Sequence, residues 1–225
     1  MEHASAPLSY TIRRAQAAVP LAGTVAGTPW QAAAPLTIGQ YPWYRAGLKQ
    51  PTATRLLYDD QCLYVQYLSQ DRHSFAEALD LNGSVWRDSC VEVFASIDPA
   101  AGPDYFNLEI NCCGTMLMGF GPGRSERKPI TPDLAGRVRI RSSLPGPTKT
   151  ESPDDRDWWI AVALPFDVIR DFTGKSVQPA CGTAWRANFY RCGGRTDPQY
   201  ASWSPIITPK PDFHRPEFFS PVVFE

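Results

Sequence analysis

The residues that could bind a ligand are concentrated first in the segment WRDSCVE, residues 86–92. Trp86 lies in a predicted loop, and Glu92 lies six positions later in the strand that follows. A sugar ring has apolar C–H faces and a rim of hydroxyl groups, so a site for it needs aromatic rings for the faces and charged hydrogen-bonding groups for the rim. Trp86 and Glu92 are such a combination. The alternative is that Trp86 closes the end of the domain and that Glu92 is solvated.

A row of polar side chains follows in the next predicted strand, YFNLEIN. Asn107, Glu109 and Asn111 alternate with apolar residues, so they share one face of this strand. If the strand pairs with the one that carries Glu92, then Glu92 and Glu109 are cross-strand neighbours within reach of one ligand. Two such carboxyl groups also fit the acid and nucleophile of a glycoside hydrolase, which lie about 5 to 9 Å apart. Otherwise the row is the solvated face of a sheet.

A proline-rich loop near the C-terminus, KPDFHRPE, is the third candidate. Prolines stiffen a loop, so an aromatic ring such as Phe213 loses little entropy when a ligand stacks on it, and Lys210 adds a charge. His214 and Glu217 spell HxxE, but Pro216 prevents the helix that would bring them onto one face. We therefore predict no metal site in this loop.

Hydrophobic periodicity predicts that these residues are positioned by short strands. Proline makes up 22 of 225 residues and aromatic residues 12%, which disfavours long helices. The predicted strands are RLLY, CLYVQYL, DSCVEVFASID, YFNLEINCCGTMLMGF, RVRIRSS, DWWIAVAL, AWRANFYRC and PVVFE. Residues 165–172 predict one short helix. Without internal repeats, the expected architecture is all-β: a single domain over residues 5–225, folded as a two-sheet antiparallel β-sandwich with at most one or two short helices.

Composition excludes several classes of protein. The 22 basic and 23 acidic residues leave a net charge of −1, which argues against nonspecific binding to nucleic acid. No run of 18 apolar residues occurs, so we predict no membrane-spanning helix. Arg13 and Arg14 precede a mild apolar stretch that imitates a secretory signal, but Pro20 interrupts it and we predict no signal peptide.

The cysteines lack the spacing of a metal or redox motif. No CxxC pair occurs, which argues against zinc ribbons and thioredoxin-like motifs. Five of the six fall in predicted strands, where cysteine usually behaves as a small buried hydrophobic residue. We therefore predict free thiols at Cys62, Cys90, Cys112, Cys113, Cys181 and Cys192.

Seven segments, taken in order, resemble family 9 carbohydrate-binding modules and their relatives. They are LYDDQCLYVQYLSQD, VWRDSCVEVFASID, YFNLEINCCG, WWIAVALPF, WRANFYRC, ASWSP and FHRPEFF, and the similarity extends from about Tyr10 to Phe224. The resemblance implies a β-sandwich of immunoglobulin-like or jelly-roll type that binds sugars and is not an enzyme. It implies no cofactor other than a structural calcium ion, for which hard oxygen ligands are available at Asp59, Asp60, Asp98 and Asp104.

The resemblance also implies which residues contact the sugar. In the xylanase-associated members a sugar at the chain end is held between two aromatic rings, which correspond here to Trp86 and Phe213. Glu92 closes the first motif, and Lys210 lies three residues before the second ring. Glu109 stands where those members have arginine, so their reducing-end specificity does not transfer. The predicted carbohydrate-binding residues are Trp86, Glu92, Glu109, Asn111, Lys210 and Phe213.

The implied partner is an oligosaccharide or polysaccharide such as xylan or cellulose, bound by a monomer that supports degradation beside a glycoside hydrolase. Family resemblance implies a secreted or periplasmic location. Two other functions remain open: a glycoside hydrolase that uses Glu92 and Glu109, and a haem-binding sandwich domain that uses Met116 or Met118 with His214. An interaction domain without a small ligand is a further alternative.

Overall fold

The computed structural model describes residues 8–152 and 154–225, so residues 5–7 of the predicted domain lie outside the described part. Within it the chain forms thirteen strands and two short helices, and the predicted all-β class is confirmed. The helices are α1 (Pro132–Ala135) and α2 (Phe166–Thr173). The strands are β1 (Tyr10–Arg14), β2 (Leu36–Ile38), β3 (Thr52–Tyr58), β4 (Cys62–Gln70), β5 (Cys90–Ser96), β6 (Tyr105–Asn111), β7 (Met116–Gly121), β8 (Lys128–Pro129), β9 (Arg139–Ser142), β10 (Asp157–Pro165), β11 (Ala184–Gly193), β12 (Gln199–Ser202) and β13 (Ser220–Phe224).

Two sheets share strand β1. The first sheet has the order β8-β7-β6-β5-β11-β13-β1 with β12 beside β11, and the second has the order β1-β3-β4-β10-β9 with β2 beside β3. Residues 10–12 of β1 pair with β13 and residues 13–14 pair with β3, both in parallel. β1 thus departs from the predicted antiparallel arrangement, because it lies between two strands that run in its own direction and joins the sheets at their edges.

The main core lies between the two sheets. Val91 and Val93 of β5 and Phe189 of β11 meet Leu56 of β3 and Val162 of β10 in this layer. Burial of one such side chain contributes roughly 1.5–3 kcal/mol to stability. Because successive side chains of a strand point to opposite faces, the residues between them must point away from this core.

The outer face of the first sheet, which is turned away from the second sheet, is also covered. Cys90 and Phe94 of β5 pack there with Phe213 and Phe219. The two phenylalanines belong to the C-terminal segment, residues 203–219, which follows β12 and crosses this face. The polar row of β6 is therefore buried, and the solvated-face alternative is wrong.

A turn divides the predicted run YFNLEINCCGTMLMGF into β6 and β7. Gly114 adopts a φ of 94°, a left-handed conformation that glycine tolerates and that β-branched residues avoid. The N–H groups of Cys113 and Thr115 donate to the side chain of Asn111 and hold the turn. The apolar periodicity of the run continues through the turn, which is why the pattern alone did not reveal it.

Helix α2 agrees with the predicted helix over residues 165–172. Pro165 precedes it, and Gly174 ends it with a φ of 74° in the left-handed region. Val168, Ile169 and Phe172 pack against the main core. In the part of the chain that the structure describes, neither helix reaches the length or apolar character that crossing a bilayer requires.

A buried ion pair connects the sheets near the start of β5. Arg191 Nη2 of β11 lies 2.6 Å from Asp71 Oδ2, directly after β4. Ser89 Oγ and Trp158 Nε1 donate to the same oxygen at 2.7 and 2.9 Å. Burial by itself raises the pKa of Asp71, but Arg191, Ser89 and Trp158 outweigh it and hold this pKa below its usual value. The residue just before β5 is thus anchored to both sheets.

We expect Asp71→Asn to lower the free energy of unfolding by about 3–5 kcal/mol, because Arg191 then keeps its charge in a buried site without a carboxylate. Arg191→Met should have a similar cost for the converse reason. Chemical denaturation of the two single variants and the double variant measures the coupling. The double variant should lose less than the sum of the single losses, and additive losses would contradict the pairing.

Candidate functional site

A cavity of about 430 Å³ opens on the outer face of the first sheet. Its size is within the roughly 300–1,000 Å³ of small-molecule sites. Four of the six predicted binding residues line it, namely Trp86, Glu92, Glu109 and Phe213. The other lining residues are Arg124, Arg127, Cys192, Tyr200, Pro211, Asp212 and His214.

Glu92 of β5 and Glu109 of β6 form the floor of the cavity. The two residues lie directly opposite each other in an antiparallel ladder, so their side chains are neighbours on one face. Glu92 is 2% exposed and Glu109 is 3% exposed. Cys192 Sγ donates to Glu92 Oε1 at 2.7 Å, and Asn107 Nδ2 donates to Glu109 Oε1 at 2.9 Å. The predicted cross-strand pairing of the two glutamates is therefore confirmed.

Burial disfavours negative charge on both carboxyl groups. Desolvation raises the pKa of Glu92 well above its ordinary value, and nearby Cys192 and Glu109 add to the rise. Desolvation also raises the pKa of Glu109 to about 7, although Arg127 limits this rise. At neutral pH the two groups together carry fewer than two negative charges, so the floor can donate as well as accept hydrogen bonds.

Arg127 and His214 form the wall beside Glu109. Arg127 Nη1 lies 3.9 Å from Glu109 Oε1. His214 Nδ1 lies 2.8 Å from the hydroxyl oxygen of Tyr105 and 3.5 Å from Arg127 Nη1. Desolvation, with the charges of Arg127 and Arg124, lowers the pKa of His214 to about 3. The imidazole is therefore neutral near pH 7.

Arg124 and Asp212 close the rim of the cavity. Arg124 Nη2 lies 2.7 Å from Asp212 Oδ1, which also accepts the backbone N–H of His214 at 3.2 Å. Arg124 and Arg127 belong to the loop between β7 and β8, which pair as an antiparallel hairpin. The ion pair joins this hairpin to the C-terminal segment.

The loop that carries Trp86 is held by buried polar contacts. The carboxylate of Asp88 accepts two backbone N–H groups of the preceding loop and Asn111 Nδ2. Gly193 approaches so closely that a Cβ atom there would lie 1.7 Å from the carbonyl oxygen of Asp88, and its φ is 71°. Trp86 is thus fixed in place although 45% of its surface is exposed.

The aromatic residues of the cavity differ in exposure. Trp86 and Tyr200 of β12 are 45% and 41% exposed, whereas Phe213 is only 8% exposed. The Phe213 ring stacks on Tyr190, with centroids 4.2 Å apart and an interplanar angle of 8°, and Trp43 tilts against it. Protein therefore covers one face of Phe213.

Two of the predicted binding residues lie away from the cavity. Asn111 is fully buried at the end of β6, and its side chain bonds Asp88 and the backbone of the neighbouring loops. Alternation puts it on the predicted face, but beneath the loop that carries Trp86. Lys210 lines a neighbouring cavity of about 680 Å³, which shares Tyr200 and Pro211 with the first.

A comparison with protein-family models matches residues 30–224, nearly the whole chain, to the model described as carbohydrate-binding family 9. The chain belongs to carbohydrate-binding family 9. The resemblance carried by the seven sequence segments is thereby confirmed. Among curated proteins, no sequence matches that of this family 9 module.

Solved structures with a similar fold include two proteins. A Bacteroides uniformis protein, for which carbohydrate binding has been suggested, is 27% identical with a TM-score of 0.85, and the alignment covers 98% of this chain and 100% of that chain. A family 9 module from Caldicellulosiruptor kristjanssonii, solved with glucose and with cellotriose, is 14% identical with a TM-score of 0.63. Those alignments cover 96% and 97% of this chain and 95% and 94% of that chain. At these identities the likeness to the Caldicellulosiruptor module shows the fold alone.

The haem alternative is wrong for this family 9 module. Met116 and Met118 of β7 face the main core. His214 packs on the outer face of the first sheet, against Phe94 and Tyr105. The sheet therefore separates the thioethers from the imidazole, and they cannot bind one iron ion.

Some of the aspartates considered for calcium already have other partners in the structure. Asp59 accepts two backbone N–H groups of its hairpin and the hydroxyl of Tyr64, and Asp60 pairs with Arg14. Among residues 8–152 and 154–225, Asp59, Asp60, Asp98 and Asp104 do not come together in a group of three acidic ligands. A structural calcium ion stays a prediction.

Sequence reasoning missed Tyr200, Arg124 and Arg127. Tyr200 alternates with Ala201, which faces the main core, so period-two patterning places Tyr200 on the outer face. That signal is short, because β12 has four residues. The arginines lie in a hairpin loop, and a loop sequence does not reveal the face over which it folds.

The low pKa of His214 predicts an acid-dependent loss of stability. The unfolded chain takes up a proton on this imidazole near pH 6.5, whereas the folded chain does so only near pH 3. The stabilising contribution is therefore full above about pH 6.5 and is lost as the pH falls toward 3. His214→Gln should reduce the fall in the free energy of unfolding between pH 7 and pH 4. Titration of the imidazole by NMR checks the assignment directly, and a midpoint near 6.5 in the folded protein would contradict it.

Proposed function

We propose that this family 9 module binds a saccharide in the cavity without cleaving it. A sugar ring lies against the exposed rings of Trp86 and Tyr200, and its hydroxyl groups bond Glu92, Glu109 and Arg127. The observation that carries this proposal is a pair of buried carboxyl groups beneath two exposed aromatic rings in one cavity. Aromatic faces match sugar C–H groups, and carboxyl and guanidinium groups match hydroxyl groups.

The floor is suited to an uncharged ligand. Each sugar hydroxyl is both a donor and an acceptor, and the floor presents carboxyl oxygens next to the N–H groups of Arg127. An anionic ligand would lie against two buried carboxyl groups, in a site where burial already disfavours negative charge. Individual bonds of this kind are modest, so we expect a binding free energy of roughly −5 to −8 kcal/mol for a short ligand.

The roles of the remaining predicted residues follow from their surroundings. Phe213 forms a wall of the cavity and packs on Tyr190, so it contributes an edge and part of one face to the ligand. Asn111 positions the loop of Trp86 through Asp88 and has no direct contact with the ligand in this proposal. Lys210 contacts only ligands long enough to reach the neighbouring cavity.

Placement of the carboxyl groups argues against hydrolysis. A glycoside hydrolase needs its two carboxyl groups on either side of the scissile bond. Glu92 and Glu109 instead project side by side from adjacent strands of one sheet face. They are suited to bond neighbouring hydroxyl groups of one sugar rather than to flank its glycosidic bond.

Glucose and cellotriose were bound in the Caldicellulosiruptor structures, so β-glucan oligosaccharides are the first ligands to test here. Xylan oligosaccharides are the second class, on the family resemblance. In a cell the module would hold such a polysaccharide near a glycoside hydrolase that degrades it.

We expect Trp86→Ala and Tyr200→Ala each to weaken binding of a cello- or xylo-oligosaccharide at least about tenfold, a loss of about 1.4 kcal/mol. Isothermal titration calorimetry measures the affinity. Ile207→Ala is the matched control, because Ile207 is an exposed apolar residue that does not line this cavity. Full affinity in both aromatic variants would show that the rings are not part of the site.

Glu92→Gln tests the floor and the noncatalytic role together. The amide keeps the size of the side chain but loses an acceptor, so we expect weaker binding by about tenfold. Neither this variant nor the natural protein should release reducing sugar from a panel of polysaccharides. Release by the natural protein that Glu92→Gln abolishes would instead establish a hydrolase.

A further inference from the structure

Two thiols and a carboxyl group form a buried cluster at the base of the cavity. Cys90 of β5 and Cys192 of β11 lie directly opposite each other in the antiparallel ladder, and both face outward from the main core. The ligand atoms of Cys90, Glu92 and Cys192 all lie within 4.8 Å of one another. The three residues are buried, but Glu92 and Cys192 also line the cavity, so the cluster has one side accessible to small solutes.

Among residues 8–152 and 154–225, no lysine or arginine forms an ion pair with Glu92, and Arg191, which contacts the backbone carbonyl groups of Cys90 and Cys192, is paired with Asp71. Cys90, Glu92 and Cys192 are only 0%, 2% and 3% exposed, so water does not stabilise a charge on any of them. Arg127, which faces the same cavity, contacts Glu109 and not this cluster. A cation bound between the three ligand atoms would supply the compensation that the side chains do not provide.

We propose that Cys90, Glu92 and Cys192 bind a zinc ion, with the fourth coordination position open to the cavity. Two sulfur ligands and one carboxylate favour a soft or borderline metal over calcium or magnesium, which prefer sites made of oxygen alone. With Zn–S bonds of about 2.3 Å, two sulfurs on a tetrahedral zinc ion lie roughly 3.8 Å apart, so small side-chain rotations close the site.

A disulfide bond between Cys90 and Cys192 is the competing chemistry, since cross-strand neighbours have a suitable Cα separation. That bond would consume the thiol that donates to Glu92 at 2.7 Å and would leave a buried carboxyl group without this partner. Zinc keeps all three groups as ligands. The surroundings therefore favour the metal.

Metal content of the untagged, full-length protein tests the site. The protein is reduced, stripped with a chelator, reloaded with zinc and desalted, and one zinc ion per chain should remain. Cobalt(II) loaded in the same way should give a thiolate-to-cobalt charge-transfer band and the visible bands of tetrahedral coordination. Both measurements use the natural sequence, so they do not depend on any variant folding.

Cys90→Ser and Cys192→Ser should each weaken zinc binding by more than about 100-fold, which exceeds the cost of removing an outer-shell partner of a metal site. Cys62→Ser, at a buried cysteine of the second sheet, and Cys181→Ser, at an exposed one, are the controls and should keep the metal. Absence of retained zinc in the natural protein overturns the proposal. So does a cobalt spectrum without the thiolate band, or a Cys90–Cys192 disulfide found by mass spectrometry in a protein that binds no zinc after reduction.

Discussion

The buried ion pair of Asp71 and Arg191 is the interaction on which the arrangement of the site depends. The carboxylate of Asp71 also accepts hydrogen bonds from Ser89 and Trp158. One oxygen atom therefore connects the end of β4, the start of β5, β10 and β11. Ser89 lies between the loop of Trp86 and the strand of Glu92. The position of the exposed ring relative to the buried carboxyl group is therefore set by a contact beneath them, where the charge of Arg191 has no solvent to compensate it.

The outer face of the first sheet combines two requirements that usually conflict. It is covered by an apolar cluster that includes Phe94, Tyr190 and Phe213, yet it buries the carboxyl groups of Glu92 and Glu109. Buried acidic groups are costly unless they are protonated, hydrogen-bonded or paired. Here burial raises their pKa values, and hydrogen bonds from Asn107 and Cys192 reach them. Carboxyl groups fixed in this way are suited to hydrogen bonds with ligand hydroxyl groups, which can replace water without adding charge.

Much of the fold was predictable because its signals are local. The alternation in β5 and β6 predicted the shared face of Glu92 and Glu109, and their direct pairing followed from the hairpin between consecutive strands. β1 was not predicted, because its parallel pairing with β13 joins opposite ends of the chain and leaves no trace in a short window. Asn111 lies on the predicted face of β6 but is covered by a loop and does not reach the cavity. Asp88 fixes that loop, and strand periodicity carries no information about it.

The sequence by itself determined the all-β class, the family and the motif from Trp86 to Glu92, because side-chain alternation and motif order are properties of neighbouring residues. Tertiary structure decided which residues complete the cavity. Tyr200, Arg127 and the C-terminal segment come to Glu92 from distant parts of the chain, and their arrival depends on packing across the outer face of the first sheet. Tertiary packing also covered one face of Phe213 with Tyr190, which changed a predicted stacking surface into a wall. Exposure and burial are set by what lies above a residue in space, and no local pattern records that.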